Sequence, residues 1–515
     1  MTEKKPAAAA KKKKQKKAVP KKTQKKTLAR KTTSKKAGGK KKKQRNTGKL
    51  ILGGIVLIMA AVTVWNVIKP MPAGLSKRSE PSRTNQAELL LDNTYGKKYD
   101  HEIFTHVFQT IDEAEDFIIL DMFLFNKAYD GKEQFPDLTG ELTRHLVNKK
   151  KENPDVRIYV LTDPINSVYG SYTPQHYKEL RAHDIFLYET DLTKLRDSNP
   201  LYSGLWRSTF RFLGNSENGH ITNIFSKKAP DVTVRGIADL INFKANHRKT
   251  LVTEKAAIIA SSNPHNPSGH HQNIAVKLSG RIQEDLIKSE LAAINMSGGH
   301  LERRDFTIQH RAFDNTMDYE TTLVTEGKIK EALLEYLAKT NDHDTVKIGM
   351  FYLSDRDVID ALLRAADRGV EIKLILDVNK EAFGKKKPGI PNKPVAHELV
   401  SKSDDRIQIK WAVSHGEQFH NKYVLIENNQ QHLSSLFVGS ANLTRRNIAD
   451  YNMETDVILT GRSELPVFKE LDADFDAKWN NTKGHVTDSY DVKKEPSFWK
   501  TVLYRIQEFT GLSSF

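Results

Sequence analysis

One short pattern occurs twice in this chain, and the repetition restricts the fold more than any other feature. Residues 420–427 read His-Asn-Lys-Tyr-Val-Leu-Ile-Glu and residues 247–254 read His-Arg-Lys-Thr-Leu-Val-Thr-Glu. In both copies Lys stands two places after His, and Glu seven. The apolar run after Lys422 reads as a buried strand, and a second one, Leu436, Phe437 and Val438, ends at Gly439-Ser440-Ala441-Asn442, where small residues turn the backbone. After the first copy comes Ala260-Ser261-Ser262-Asn263. A hairpin would bring imidazole, ammonium and Ser/Asn groups to one place. Such a cluster suits a tetrahedral phosphate: His is nucleophile or proton donor, Lys a point positive charge, and Ser and Asn donate to the non-bridging oxygens. A lone His near a Lys in a strand is ordinarily structural, but two such units in one chain point to chemistry.

The surroundings of the motifs repeat as well. Helical spacing over 102–114 and 141–151 alternates with apolar strands at 117–125 and 156–163, and the second half has helices at 328–339 and 357–368 with strands at 346–353 and 370–377. Strands separated by helical segments imply sheets covered by helices, an α/β fold of two related sandwich halves packed about a pseudo-twofold axis. The expected boundaries are 98–310 for the first half, 311–482 for the second and 483–515 for a C-terminal amphipathic segment. Each half supplies one His/Lys set, so a competent site requires the halves to meet at a shared cleft.

The paired motifs resemble those of the phospholipase D superfamily, whose members carry two HxKx4D patterns followed by GSxN. The resemblance runs from about Lys98 to Asn481, and in character it is closest to bacterial membrane-anchored phospholipase D-like and cardiolipin synthase-like proteins. Glu254 and Glu427 stand where the family has Asp, Ala260 replaces the first Gly, and the gap before Gly439 is longer. The resemblance implies His247, Lys249, His420 and Lys422 as catalytic residues, with Ser262, Asn263, Ser440 and Asn442 on the substrate phosphate and Glu254 and Glu427 in support. It implies no cofactor and no metal. The family's usual assignment makes His247 the nucleophile, forming a phosphohistidine, and His420 the acid and base. Aligning Val457-Ile458-Leu459 with Val276-Lys277-Leu278 sets Glu454 opposite Asn273, so Glu454 is expected beside His420, holding its imidazolium. His265, His270 and His271 are expected in an exposed loop after the first motif.

Charge and hydropathy address location and substrate. The formal net charge of +17 suggests nucleic acid, but residues 1–49 alone hold 22 Lys and Arg against Glu3, a net +21, which leaves −4 for the remainder. Those 49 residues should form a disordered cytoplasmic tail, a topogenic signal that could also rest on anionic lipid or nucleic acid. Between Leu50 and Ile68 no charged residue occurs, enough for one transmembrane helix and too long a basic lead for a secretory signal. The basic excess precedes it, so the positive-inside rule puts the N-terminus in the cytoplasm and the body outside, in a single-pass protein of bacterial cell-membrane type. Residues 69–97 read as a linker. An anchored, acidic body favours a phospholipid as substrate, by headgroup hydrolysis or phosphatidyl transfer; a tethered nuclease and a non-catalytic binding protein are the alternatives. The aromatic insertion 202–225 is expected to pack on the core, the alternative being a membrane-facing rim beside the cleft. The aromatic face of 498–509 is expected to pack on the body rather than lie in the bilayer interface.

Overall fold

The computed structural model describes residues 39–512 except 97, 310–317, 380, 383–384 and 387. Most of the basic tail, and the join between the expected halves, therefore lie outside the described residues. The helix Gly39–Ile68 contains the stretch Thr47–Ile68, 22 residues that are long and apolar enough to cross a membrane. From Leu57 onward the chain forms one unit.

That unit holds two large sheets with the same seven-strand plan. The first runs Ala87–Tyr95, Asn273–Leu278, Ala257–Ala260, Lys249–Thr253, Phe117–Met122, Arg157–Thr162, Phe186–Glu189, with Lys98–Asp100 added outside the first of these. The second runs Tyr319–Thr325, Thr455–Arg462, Leu433–Gly439, Lys422–Asn428, Asp344–Met350, Glu371–Leu376, Ile407–Ala412, with Ser82–Thr84 and Thr487–Ser489 at its two edges. In each plan the first five strands are antiparallel neighbours and the last two join in parallel. Parallel strands are covered on both faces, which is why Phe117–Met122 and Asp344–Met350 are buried at every position. Each fully buried Ile, Leu or Phe there contributes about 1.5–3 kcal/mol.

The inner faces of both sheets share one core. Ile119, Val252 and Val276 of the first sheet join Leu425, Val438 and Val457 of the second, together with the helices Arg281–Met296 and Pro466–Trp479 that follow the last motif strand of each half. Helices Ile103–Glu113 and Leu138–Glu152 cover the outer face of the first sheet, and Gly327–Ala338, Arg356–Asp367 and Asn392–Lys402 that of the second. Asp137 and Asp355 start two of them by accepting backbone N–H groups of the first turn.

The linker reading of 69–97 is overturned. Ala87–Tyr95 is the opening strand of the first sheet, paired with Asn273–Leu278, and Ser82–Thr84 pairs with the second sheet at Tyr319, Glu320 and Thr321. Pro, Ser and charge in this stretch hid a pattern that only pairing with a distant strand makes favourable.

Candidate active site

Both motif strands begin at the cleft between the sheets, and two short backbone bridges hold the halves together there. Asn246 pairs with Met453, and Gln272 pairs with Phe419. The His247 N–H donates to the Met453 carbonyl at 2.9 Å, and the His420 N–H to the Gln272 carbonyl at 2.8 Å. Each imidazole is therefore placed beside the residue that follows the bridge in the opposite half.

That register crosses the partners. His247 Nδ1 lies 2.9 and 3.0 Å from the two carboxylate oxygens of Glu454, while His420 Nδ1 lies 3.0 Å from Asn273 Oδ1. Glu454 was expected beside His420; the alignment of Glu454 with Asn273 holds, but each serves the other half's His. A local alignment carries no information about pairing across the interface.

The rest of the constellation repeats within each half. Ser440 Oγ donates to Glu454 at 2.5 Å and accepts the Thr455 N–H at 3.0 Å; Ser261 Oγ donates to Asn273 at 3.3 Å and accepts the Ile274 N–H at 3.0 Å. Ser261, not Ser262, is thus the counterpart of Ser440; Ser262 stands where Ala441 does. Counting two places back from Asn263, as from Asn442, locates it. Lys422 Nζ lies 2.9 Å from His420 Nε2, and Lys249 Nζ donates to the His247 carbonyl at 2.5 Å. Phe123 and Phe351, each just after a central strand, flank His247 and His420 with ring centroids 4.6 and 5.0 Å away. Sequence periodicity assigned both to strands, and neither signalled a place at the cleft.

His247, His420, Asn263 and Asn442 line one cavity of about 300 Å³. Asn263 Oδ1 accepts the Leu124 N–H at 3.2 Å, which fixes the orientation of its amide. His265 and His271 also line this cavity and are buried, contrary to the exposed loop expected; His270 is half-buried and stacks on Tyr99. The His271 ring lies 6.1 Å from that of His420 and accepts the Gln418 N–H at Nδ1. The expected supporting residues Glu254 and Glu427 sit elsewhere, toward the far ends of their strands. Glu254 accepts the backbone N–H groups of Glu115, Asp116 and Phe117, and Glu427 lies 4.0 Å from Lys347. Seven residues along a strand span roughly 23 Å, so a motif position can be structural at one end and face the cleft at the other.

Electrostatics at the cavity are dominated by burial and by two ammonium groups. Burial, then Lys249 and Lys422, hold His247 well below its ordinary range; burial, then Lys422, His271, Lys249 and His247, do the same to His420. Burial lowers Lys249 to about 8, with Glu454 opposing, and pushes Lys422 well below its ordinary value. Glu454 is raised to about 8 by burial, with Lys249 opposing. Both imidazoles are therefore neutral at rest. An anion entering between the two lysines would offset their charge and allow one imidazole to take a proton.

Residues 333–479 match the family described as "Cardiolipin synthase, PLD-like domain". That match covers most of the second half and under a third of the chain. The chain's fold is similar to that of the phosphatidylserine synthase of Haemophilus influenzae Rd KW20, with a TM-score of 0.53 at 11% identity, covering 87% of this chain and 97% of that one. Two further solved structures match less closely. The polyphosphate kinase of Porphyromonas gingivalis has a TM-score of 0.40 at 12% identity over 83% of this chain and 56% of that one. A phospholipase D family member, Nuc, of Salmonella typhimurium has 0.25 at 16% over 33% and 98%. No curated protein matches the chain.

Proposed function

We propose that the protein is a membrane-anchored phosphodiesterase or phosphatidyltransferase that acts on phospholipid headgroups through a phosphohistidine on His247. The observation that carries this reading is the crossed pair of imidazoles on one cavity, one oriented by a carboxylate and the other by a neutral amide. Glu454 accepts the Nδ1 proton of His247, which leaves the Nε2 lone pair for phosphorus and offsets the positive charge that forms on the ring. Lys249, Lys422, Asn263 and Asn442 neutralise or bond the phosphate oxygens. In the first step the Nε2–P bond forms and the P–O bond to the headgroup breaks, while protonated His420 gives its Nε2 proton to the departing alkoxide. In the second, His420 takes a proton from water or an alcohol, whose oxygen attacks phosphorus and releases His247. Asn273 supports this acid better than a carboxylate would, because it orients the ring without stabilising the imidazolium.

Two features favour a lipid. Phe225, Leu240 and Phe243 add apolar lining to the cavity, and the apolar helix is long enough to hold the body at a membrane. Leu50 to Ile68 would act as the single-pass anchor, with the basic tail cytoplasmic, where it can rest on anionic lipid, and the body on the other face.

The test uses the full chain in phosphatidylglycerol vesicles and, separately, with single-stranded DNA. Phosphatidic acid or cardiolipin as product supports the reading. Oligonucleotide fragments without lipid turnover would overturn the substrate assignment, and inactivity on both would overturn catalysis. Labelled phosphate trapped on His420 instead of His247 would reverse the two roles.

A further inference from the structure

The C-terminal helix Phe498–Thr510 is built inside out. The side toward the body is polar: Tyr504 is fully buried and bonds Arg356 at 2.8 Å, and Glu508 bonds Ser354 and the Arg445 N–H, each at 2.8 Å. Its aromatic face, expected to pack inward, points away; Phe498, Trp499 and Phe509 are 71, 76 and 81% exposed. The segment 201–241 has the same character. Leu201, Leu205, Phe212 and Leu213 protrude, while Trp206 and Arg207 of the same turns are buried. Of the eighteen large apolar side chains exposed after residue 68, among the described residues, thirteen lie in these two stretches. Scattered exposed apolar residues need no explanation, but segregation of this kind does.

The last turns of the apolar helix indicate what covers them. A Cβ at Gly204 would lie 2.5 Å from both the Met59 carbonyl and Thr63 Oγ1, so helix Pro200–Ser208 and the end of the apolar helix are in direct backbone contact. The Asp197 N–H donates to the Asn66 carbonyl at 2.9 Å. Thr63 precedes Ile68 by five residues, roughly 7–8 Å of helical rise, which sets Gly204 below the end of the apolar stretch. At the other side, Gly511 abuts the Ser198 carbonyl, bringing the end of the C-terminal helix to the start of Pro200–Ser208. Trp65, 62% exposed near the end of the apolar helix, suits the headgroup level.

We propose that 201–213 and the outer face of Phe498–Thr510 form an interfacial surface that lies in the lipid bilayer around the anchor. This inference rests on the helix crossing a membrane. The surface is independent of the reaction at the cleft. Leu201 and Leu205 enter the acyl boundary with Phe509 and Trp499, and the helix Pro200–Ser208 is held there by its contact with Met59 and Thr63.

The chain contains no cysteine, so each single Cys substitution gives a unique site for a bimane label. Full-length protein in phosphatidylglycerol/phosphatidylethanolamine vesicles is probed with doxyl-labelled lipid and aqueous iodide at Phe212→Cys, Trp499→Cys and Phe509→Cys. Phe186→Cys and Leu433→Cys serve as body controls and Val56→Cys as the helix control. The expected result is doxyl quenching at 212, 499 and 509 at least about threefold above the body controls, with iodide quenching lower by a similar factor. Iodide quenching at body-control levels would overturn the proposal, as would protection from both quenchers, which means cover by protein. Doxyl quenching at position 56 alone leaves the anchor standing without the surface; its absence at 56 refutes the anchor itself.

Discussion

Replacing Glu454 by Gln tests the crossed arrangement most directly. Three donors converge on the carboxylate: His247 Nδ1, Ser440 Oγ and Asn447 Nδ2. Asn447 is fixed in orientation because its Oδ1 accepts the Thr444 hydroxyl at 2.6 Å. The amide oxygen of Gln at 454 must therefore face Asn447, which turns its NH2 toward Ser440 and His247. Ser440 can accept by rotating its hydroxyl; His247 Nδ1–H keeps the amide oxygen 2.9 Å away but meets an N–H donor at 3.0 Å, and the negative charge that offsets the ring's developing positive charge is gone. Converting a tautomer-holding carboxylate to its amide costs a Ser-His-Asp enzyme about 10⁴ in kcat. On the same logic Glu454→Gln should lower kcat by about 10³–10⁴, or about 4–5.5 kcal/mol of transition-state stabilisation, with KM little changed. The assay is headgroup release from phosphatidylglycerol vesicles, with denaturation midpoints to confirm that the variant folds. Activity within about tenfold of the parent would refute the assignment of Glu454 as the group that orients a nucleophile.

Three other outcomes are expected. The pH profile of kcat should be a narrow bell centred near pH 8: the acid limb follows Glu454, raised to about 8 and useful only when ionised, and the alkaline limb follows Lys249, lowered to about 8 and useful only when protonated; Glu454→Gln should flatten the acid limb and leave the alkaline one. Arg248 points away from the cavity and joins the halves through Glu290 and Glu326 at 3.3 and 2.6 Å, fully buried. Arg248→Met should therefore cost about 3–5 kcal/mol in denaturant unfolding, whereas Arg304→Met, at an exposed pair, should stay within about 0.5 kcal/mol. A Cβ at Gly439 would strike the Thr455 carbonyl and Asp456, so Gly439→Ala should destabilise by about 1–3 kcal/mol in the same assay, whereas Ala260→Gly at the matching place in the first half should relieve no clash.

The paired motifs and apolar strands were legible because they are local. Residues 117–122 are apolar at all but Asp121, and a strand buried on both faces needs only that; 344–350 carries Asp344, Thr345 and Lys347, and the strand was legible there from the apolar run that continues through Phe351, Tyr352 and Leu353. The opening strand Ala87–Tyr95 was not legible. Pro81, Ser82 and the charges around it read as linker, and its burial comes from Asn273–Leu278, far along the chain. The C-terminal helix shows the same divide: helical spacing and the stop at Gly511 were in the sequence, but the face turned inward depended on where Arg356 and Ser354 stand.

Sequence alone determined that two imidazole–lysine sets exist, that each begins a buried strand, and that an apolar helix precedes them. Those properties follow from residue type and spacing, which the chain carries without regard to its partners. Tertiary structure alone decided that Glu454 serves His247 and Asn273 serves His420, because two backbone bridges between the halves set that register. Main-chain N–H and carbonyl groups are common to nearly every residue, so no side-chain pattern could announce which distant pair they would join.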